Sequence, residues 1–305
     1  MRCDLTDRLE AQFDSHTVVR QLHDVPPHEV YEIIVNGQRA VYKGNTGSTG
    51  NAGIEGRIMG FVGKYTSIPV PEVLAVEDEF FVAAWHDHAP SPKTDQEADE
   101  NWARAAGSGL ARLHNESAQL LEKYGPFRPN GFGIDGHDDW HDAAVEYVRT
   151  RRPILSHYGH ADVIEKVLGY LGEHPDAFAG ADEPVCCHGW ATPEHVTVAD
   201  EDVVCMVDFE HAIAAPGEYD YWRTAFPAFE SHESAAHMAF RESYESVRPL
   251  PAGFERRRPY YALLNGVYYF ESLYVQAEHG PKETAAKAQR LRGRVTEVLN
   301  GIANN

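Results

Sequence analysis

The sequence predicts an α+β fold in two unequal parts: a small N-terminal antiparallel sheet carrying one helix over residues 1–88, and a larger, mainly helical part over 89–305. Three observations carry this reading. Asn36-Gly37 separates two short apolar runs, and that dipeptide supplies the left-handed backbone a tight hairpin needs. A polar stretch with two prolines at 86–93 ends the series of strand-like segments. Beyond it, apolar residues recur at helical rather than alternating spacing.

In order along the chain, Leu5, Leu9 and Phe13 are spaced by four and suit a helical or loose lead-in over 1–16. Weak alternation over 17–25 suits a strand, and Pro26-Pro27-His28-Glu29 a turn. Strands follow at 30–35 and 39–43, the second ending AVYK on Lys43. Residues 44–53 form a Gly/Asn/Thr/Ser loop, and 54–65 a helix with Glu55 in its first turn. IPVPEVLAV leads into a fourth strand, Glu77-Asp78-Glu79 turns, and 80–85 is a fifth. A helix over 95–114 collects Trp102, Ala105, Ala106, Gly109, Leu110 and Leu113 on one face. Further helices are expected at 140–151, 162–171, 233–247, 259–279 and 282–302, with no internal repeat or low-complexity tract.

Residues 184–220 interrupt this helical half with strand-like pieces. Residues 185–187 are apolar and run into His188-Gly189; 196–198 and 203–207 are short strands about a polar turn; a Gly-containing loop then runs to Asp220. A single carboxylate, Asp208, follows the apolar 203–207 directly. Desolvating such a group is costly unless it serves a cation or a set of donors, so Asp208 is a candidate metal ligand.

The net charge of −20 and pI near 5.2 argue against a nucleic-acid-binding surface. Seven Lys stand against twenty Arg, a balance that suits a high-salt cytoplasm or an ordinary acidic bacterial enzyme. MRCDLTDRLE contains no apolar run, so no signal peptide is expected, and nothing approaches a membrane span; the expected location is cytoplasmic. Cys3, Cys186, Cys187 and Cys205 show no C-x-x-C spacing and read as buried thiols of a reducing compartment.

AVYK, IEGRIMGFV before IPVPEVL, GLARLH, CHGWATPEHV, VVCMVDFEHA and PGEYD occur in that order. With these blocks the chain resembles, over nearly its whole length, the aminoglycoside phosphotransferase and choline kinase-like family, which is similar in fold to protein kinases. The resemblance implies a two-lobed kinase-like fold, with the lobes at 1–88 and 89–305. It implies ATP or GTP as phosphoryl donor, Mg²⁺ or Mn²⁺ as cofactor, and a small-molecule hydroxyl, cationic in many relatives, as acceptor. It implies that Lys43 meets the nucleotide phosphates, that Glu55 holds Lys43, that Asp208 binds the metal bridging the phosphates, and that His188 and Asp220 brace the catalytic loop.

Two positions depart from the family pattern. Trp190 stands where the family has its catalytic Asp, and His195 where it has a metal-binding Asn. An indole N–H only donates, so Trp190 cannot take up the acceptor's proton. Loss of a general base costs about 10²–10⁴ in rate, and Glu194 and Glu210 are the nearest carboxylates that could replace it. His195 either favours manganese over magnesium or packs without a metal. The Pro26-Pro27 turn offers fewer amide donors than a phosphate-covering loop, and Glu29 repels phosphate. Two readings follow: an impaired phosphotransferase, or a pseudokinase that binds a nucleotide, metabolite or protein partner without chemistry.

Other groupings are weaker. His137 and His141 have helical i, i+4 spacing but read better as a solvated acidic helix start. His86-Asp87-His88 reads as linker. Tyr260, Tyr261, Tyr268, Tyr269, Phe270 and Tyr274 read mainly as helix packing, with a share available to line an acceptor pocket.

Overall fold

A computed structural model describes residues 5–47, 50–90, 96–128, 133–276 and 279–303. The expected buried thiol of Cys3, and positions 91–93 of the expected linker, lie outside these residues.

The N-terminal part comprises α1 (Leu5–Gln12), β1 (His16–Val25), β2 (His28–Val35), β3 (Gln38–Asn45), α2 (Ala52–Tyr65), β4 (Val73–Val76) and β5 (Phe80–Ala84). Its strands pair antiparallel in the order β1-β2-β3-β5-β4. Asn36 and Gly37, with positive φ of 48° and 81°, turn β2 into β3 in a two-residue loop whose twist matches the right-handed twist of the strands. Alternation then sorts β3. Ala40 and Tyr42 join Leu9, Ile33, Val35, Phe80 and Val82 in a small core beneath α1. Val41 and Lys43 take the opposite face, on which α2 lies.

The C-terminal part comprises α3 (Glu100–Ser117), β6 (Gly125–Pro126), α4 (Trp140–Arg149), α5 (Arg152–His157), α6 (Ala161–Glu173), β7 (Val185–Cys187), β8 (Val196–Ala199), β9 (Asp202–Met206), β10 (Ile213–Ala215), α7 (Gly217–Ala228), α8 (Ala235–Val247), α9 (Phe254–Val275) and α10 (Pro281–Ala303). Asp99 caps α3 by accepting the Trp102 amide at 2.8 Å, so the helix starts at Glu100, five residues after the start of the expected 95–114. α3 and α8 pack closely because Gly107 has no side chain: a Cβ there would collide with the Phe240 carbonyl. The Trp102 indole N–H donates to the Val196 carbonyl at 3.0 Å, tying α3 to the hairpin β8–β9. The inner face of α2 (Ile58, Met59, Phe61 and Val62) packs into the same core as α3, so burial of α2 links the sheet to the helices. Each such side chain contributes roughly 1.5–3 kcal/mol.

The structure departs from the expected elements where periodicity carries no signal. The loop expected up to Asp220 is instead largely β10 and α7. Residues 217–225 of α7 are all buried, so no amphipathic stripe marks the helix, and the preceding Pro216 resembles a loop signal. α9 begins at Phe254 and carries Pro259 inside it, where the sequence suggested a helix start. β2 begins at His28, within the expected turn. His137 pairs with Tyr124 in a β-bridge before Asp139 caps α4, so His137 and His141 do not share a helix face. Among the described residues, no helix is long and apolar enough to cross a membrane.

Candidate active site

The site forms where the face of the sheet that α2 covers meets the end of β9. Lys43, near the end of β3, extends its Nζ to 2.8 Å from Asp208 Oδ1, 2.7 Å from Glu55 Oε2 and 3.4 Å from Glu210 Oε2. The contact with Glu55 is one of charge rather than a directed hydrogen bond, because Oε2 has no donor in hydrogen-bond geometry. Asp208 sits at φ 66°, ψ 60°, a left-handed conformation costing a non-glycine residue of order 1–3 kcal/mol. The turn swings its carboxylate out of the β9 line toward Lys43. On the other side, His28 donates from Nδ1 to Glu210 at 3.1 Å and accepts the Asn51 amide on Nε2 at 3.2 Å.

Charge is unevenly shared in this cluster. Burial alone would deprotonate Lys43, but Glu55, Asp208 and Glu210 outweigh it and hold its pKa well above the ordinary lysine value. Burial likewise opposes the charge on Asp208, yet Lys43 and His195 hold that carboxyl well below its usual range. Glu55 is 3 % exposed, and burial together with repulsion from the other two acids lifts it to about 8 against the pull of Lys43.

The loop after β7 is braced from below. Asp220, fully buried on α7, accepts the backbone N–H of His188 at 2.6 Å and of Gly189 at 2.8 Å, and His114 Nε2 lies 3.1 Å from it. His114 in turn meets the Tyr244 hydroxyl at 2.8 Å. His188 donates from Nε2 to the Val207 carbonyl at 2.8 Å and accepts the Trp190 amide on Nδ1 at 3.2 Å, which fixes a neutral tautomer. Burial lowers its pKa to about 4. Gly189 has φ 84°, and a Cβ there would strike the His211 carbonyl.

At the end of this loop, His195 Nδ1 lies 3.0 Å from the Trp190 carbonyl and Nε2 lies 3.1 Å from Asp208 Oδ2. Both neighbours only accept, so both ring nitrogens must donate and the ring is charged. Burial opposes that charge, but the Asp208 hydrogen bond and charge exceed it and raise the pKa. As placed, His195 is a cation pinning Asp208, and it would have to lose a proton before Nε2 could ligate a metal.

Trp190 is half-buried and held by neighbours. Its ring lies 5.9 Å from that of Tyr268 and 5.7 Å, edge-on, from that of Tyr269. The guanidinium of Arg223 lies 4.8 Å from the indole centroid and 3.6 Å from that of Tyr268. Arg223 also donates to the Gly189 carbonyl at 2.9 Å and to Asn265 Oδ1 at 3.0 Å. Neither sequence candidate for a replacement base is poised for that work. Glu194 is exposed. Glu210 is opposed by burial, but His28 and Lys43 dominate and push it down to about 2, which makes it a weak base.

The donor set fits a hard divalent ion. Oxygens of Glu55, Asp208 and Glu210 all lie within 4.8 Å of one another, and Glu55 Oε2 lacks a hydrogen-bond donor. Glu210 and His28 join this cluster without having been singled out as its members from the sequence. The only available signal was the acid two residues after Asp208. Arg223 was missed because nothing local distinguishes a buried arginine.

The remaining sequence groupings are placed elsewhere. His141 Nε2 donates to the Leu171 carbonyl at 2.9 Å. The rings of His86 and His88 lie 5.9 Å apart between β5 and α3. Of the aromatic run, Tyr261 and Phe270 are in the core, Tyr260 packs near Phe178, and Tyr274 stacks on Tyr158, while Tyr268 and Tyr269 turn toward Trp190.

The model of the APH phosphotransferase enzyme family matches residues 28–260. Among solved structures, a candidate fructosamine-3-kinase from Thermobifida fusca YX-ER1 superposes with a TM-score of 0.68 at 17% identity, over 96% of this chain and 98% of that one. A thermostable mutant of the aminoglycoside phosphotransferase APH(4)-Ia, solved as a ternary complex with ADP and hygromycin B, gives a TM-score of 0.64 at 15% identity, over 97% of this chain and 98% of that one. A candidate aminoglycoside phosphotransferase from Ralstonia eutropha JMP134 gives 0.66 at 13% identity, over 98% and 97%. At these identities the likeness establishes the kinase-like fold. No curated protein matches the chain.

Proposed function

The chain belongs to the APH phosphotransferase enzyme family, and from this premise we propose that it binds ATP or GTP with a divalent ion between an N-lobe (1–88) and a C-lobe (89–305), and that its transfer of phosphate to a small-molecule hydroxyl is impaired. The observation that carries the proposal is the position of Lys43, whose Nζ lies 2.7 Å from Glu55 and 2.8 Å from Asp208. A lysine on a sheet, held by a helix acid and facing an acid from the other lobe, is the arrangement a triphosphate and its metal require. Lys43 would turn to the phosphates, Glu55 would keep it in place, and Asp208 with Glu210 would hold Mg²⁺ or Mn²⁺. Such an ion, when bound, bridges the phosphates and offsets the charge on the departing nucleotide.

Impairment follows from Trp190. As the acceptor oxygen bonds to phosphorus and the bond to the nucleotide breaks, the hydroxyl proton needs an acceptor, and an indole offers none. The proton is left to solvent or to the phosphate itself, at a cost of about 10²–10⁴ in rate. The net charge of −20 disfavours nucleic acid as a partner. Buried, unpaired Cys186, Cys187 and Cys205 suit the cytoplasm.

Thermal unfolding with ATP or GTP and either metal tests the binding half. A ligand at a hundred times its Kd adds about 2.7 kcal/mol, and the absence of any shift with both nucleotides and both metals would sink it. Trp190→Asp tests the chemistry half, with turnover expected to rise by about 10²–10⁴. A second reading, a pseudokinase that binds nucleotide, metabolite or partner without transfer, is favoured by the firm seating of Trp190 between Tyr268, Tyr269 and Arg223. A nucleotide-dependent shift with no transfer in wild type or in Trp190→Asp would select it.

A further inference from the structure

The charged side chain packed against the Trp190 ring, Arg223, is of the opposite sign to the protein's net charge. Arg223 is 1 % exposed and, among the described residues, has no carboxylate partner. Its charge is met instead by two neutral acceptors, the Gly189 carbonyl and Asn265, and by the rings of Tyr268 and Trp190. A buried guanidinium so placed keeps an unneutralised positive field directed at the indole. The charges acting on Tyr269 are likewise those of Arg223 and Arg294. The acid on the same stretch of α9, Glu271, is tied to Arg151 at 2.9 Å. The nearest acids are each set off by a histidine: His195 lies between the Trp190 carbonyl and Asp208 (3.0 and 3.1 Å), and His211 between the Tyr268 hydroxyl and Glu210 (2.9 and 3.4 Å), while Asp208 and Glu210 are also engaged by Lys43.

Trp190 therefore presents a half-buried aromatic surface, fixed edge-on by Tyr269 and backed by a cation, at the point where the family brings acceptor and phosphate together. We propose that Trp190 is the floor of an acceptor subsite for a hydroxylated ring bearing no positive charge, stacked on the indole and flanked by Tyr269, and that Arg223 makes the subsite hostile to polycationic amines. Stacking against a fixed ring costs little conformational entropy and suits the flat face of a sugar or aryl group. Arg223 acts as a positioning residue: it anchors the Gly189 carbonyl, one residue before Trp190, and covers the indole. The sign of the local field, rather than the net charge of the chain, then sets the class of acceptor. The proposal rests on the phosphotransferase reading for the place of the acceptor.

The test uses the full chain, with and without a non-hydrolysable ATP analogue and Mg²⁺. Three probes are titrated by calorimetry and ligand-observed NMR: p-nitrophenyl glucoside (neutral), p-nitrophenyl glucuronide (anionic) and kanamycin (polycationic). The expected result is binding of both aryl sugars, with the glucuronide the tighter, and kanamycin weaker by roughly tenfold or more. Trp190→Ala should weaken the aryl sugars by roughly tenfold, while Trp190→Phe, which keeps a ring, should restore most of the loss. Arg223→Gln should abolish the preference for the glucuronide over the glucoside; if that variant fails to fold, Arg223→Lys, which keeps the charge but not the planar fork, should keep the preference. Tighter binding of kanamycin, no binding of either aryl sugar, or aryl-sugar binding unchanged in Trp190→Ala would overturn the proposal. The nucleotide-induced thermal shift, recorded on the same samples, separates the two failures. A shift without aryl-sugar binding removes this subsite alone, whereas aryl-sugar binding without a shift removes the nucleotide reading and leaves the ring site standing.

Discussion

Lys43 Nζ lies 2.8 Å from Asp208 Oδ1, although 165 positions separate the two residues in the chain. One comes from the third strand of the sheet and the other from the turn after β9, so the contact measures directly how the two parts of the molecule meet. Lys43 serves three acids at once, and removing it leaves their negative charge without its nearest counterion.

Lys43→Met is accordingly expected to abolish any nucleotide-induced thermal shift and to lower the stability of the ligand-free protein by about 1–3 kcal/mol, less than a fully buried pair because the acids can take up protons. Urea denaturation with and without ATP and Mg²⁺ measures both effects. A full nucleotide shift in this variant would remove Lys43 from the phosphate site.

Asp220→Asn replaces a fully buried carboxylate that accepts the amides of His188 and Gly189 and faces His114. An amide has one oxygen for these donors and turns an NH₂ toward one of them. The expected loss is about 2–4 kcal/mol in urea unfolding, with the nucleotide shift reduced because the loop loosens. Wild-type stability in this variant would show that the brace is not structural.

The neutral tautomer of His188 predicts a pH dependence. Its folded pKa, lowered by burial to about 4, is below its unfolded value of about 6.5, so the unfolded chain takes up the proton first as pH falls. Stability from the neutral ring is therefore complete above about 6.5 and declines by about 3 kcal/mol by pH 4. Glu55, raised by burial to about 8, works in the opposite direction between that value and its ordinary 4.5, because there the folded state takes up the proton first. The difference in unfolding free energy between wild type and His188→Gln, followed from pH 7 to 4, isolates the histidine term. A difference independent of pH would show that His188 is not held neutral.

Much of the fold was legible because local rules decide it. Asn36-Gly37 imposes a hairpin by itself, the stripe from Trp102 to Leu113 describes α3, and β-branched and Cys-rich runs mark β7 to β9. Lys43, Glu55 and Asp208 could be named from the order of their motifs, and the structure brings all three together. α7 was not legible because its buried residues surround the helix axis, leaving no face for periodicity to detect. The roles of His28 and Glu210 were also hidden, since both depend on side chains that meet only across the cleft.

The sequence by itself determined the β2–β3 hairpin and the course of α3, the absence of a carboxylate at position 190, and which acid follows an apolar strand, because each depends on neighbours in the chain. Tertiary structure alone decided that Arg223 is buried against Trp190 without a carboxylate partner among the described residues, that His195 meets Asp208, and that Lys43 meets Glu55, Asp208 and Glu210 at once. Each of those states is set by desolvation and by charges brought within a few ångströms from distant elements, and no local pattern encodes the sum.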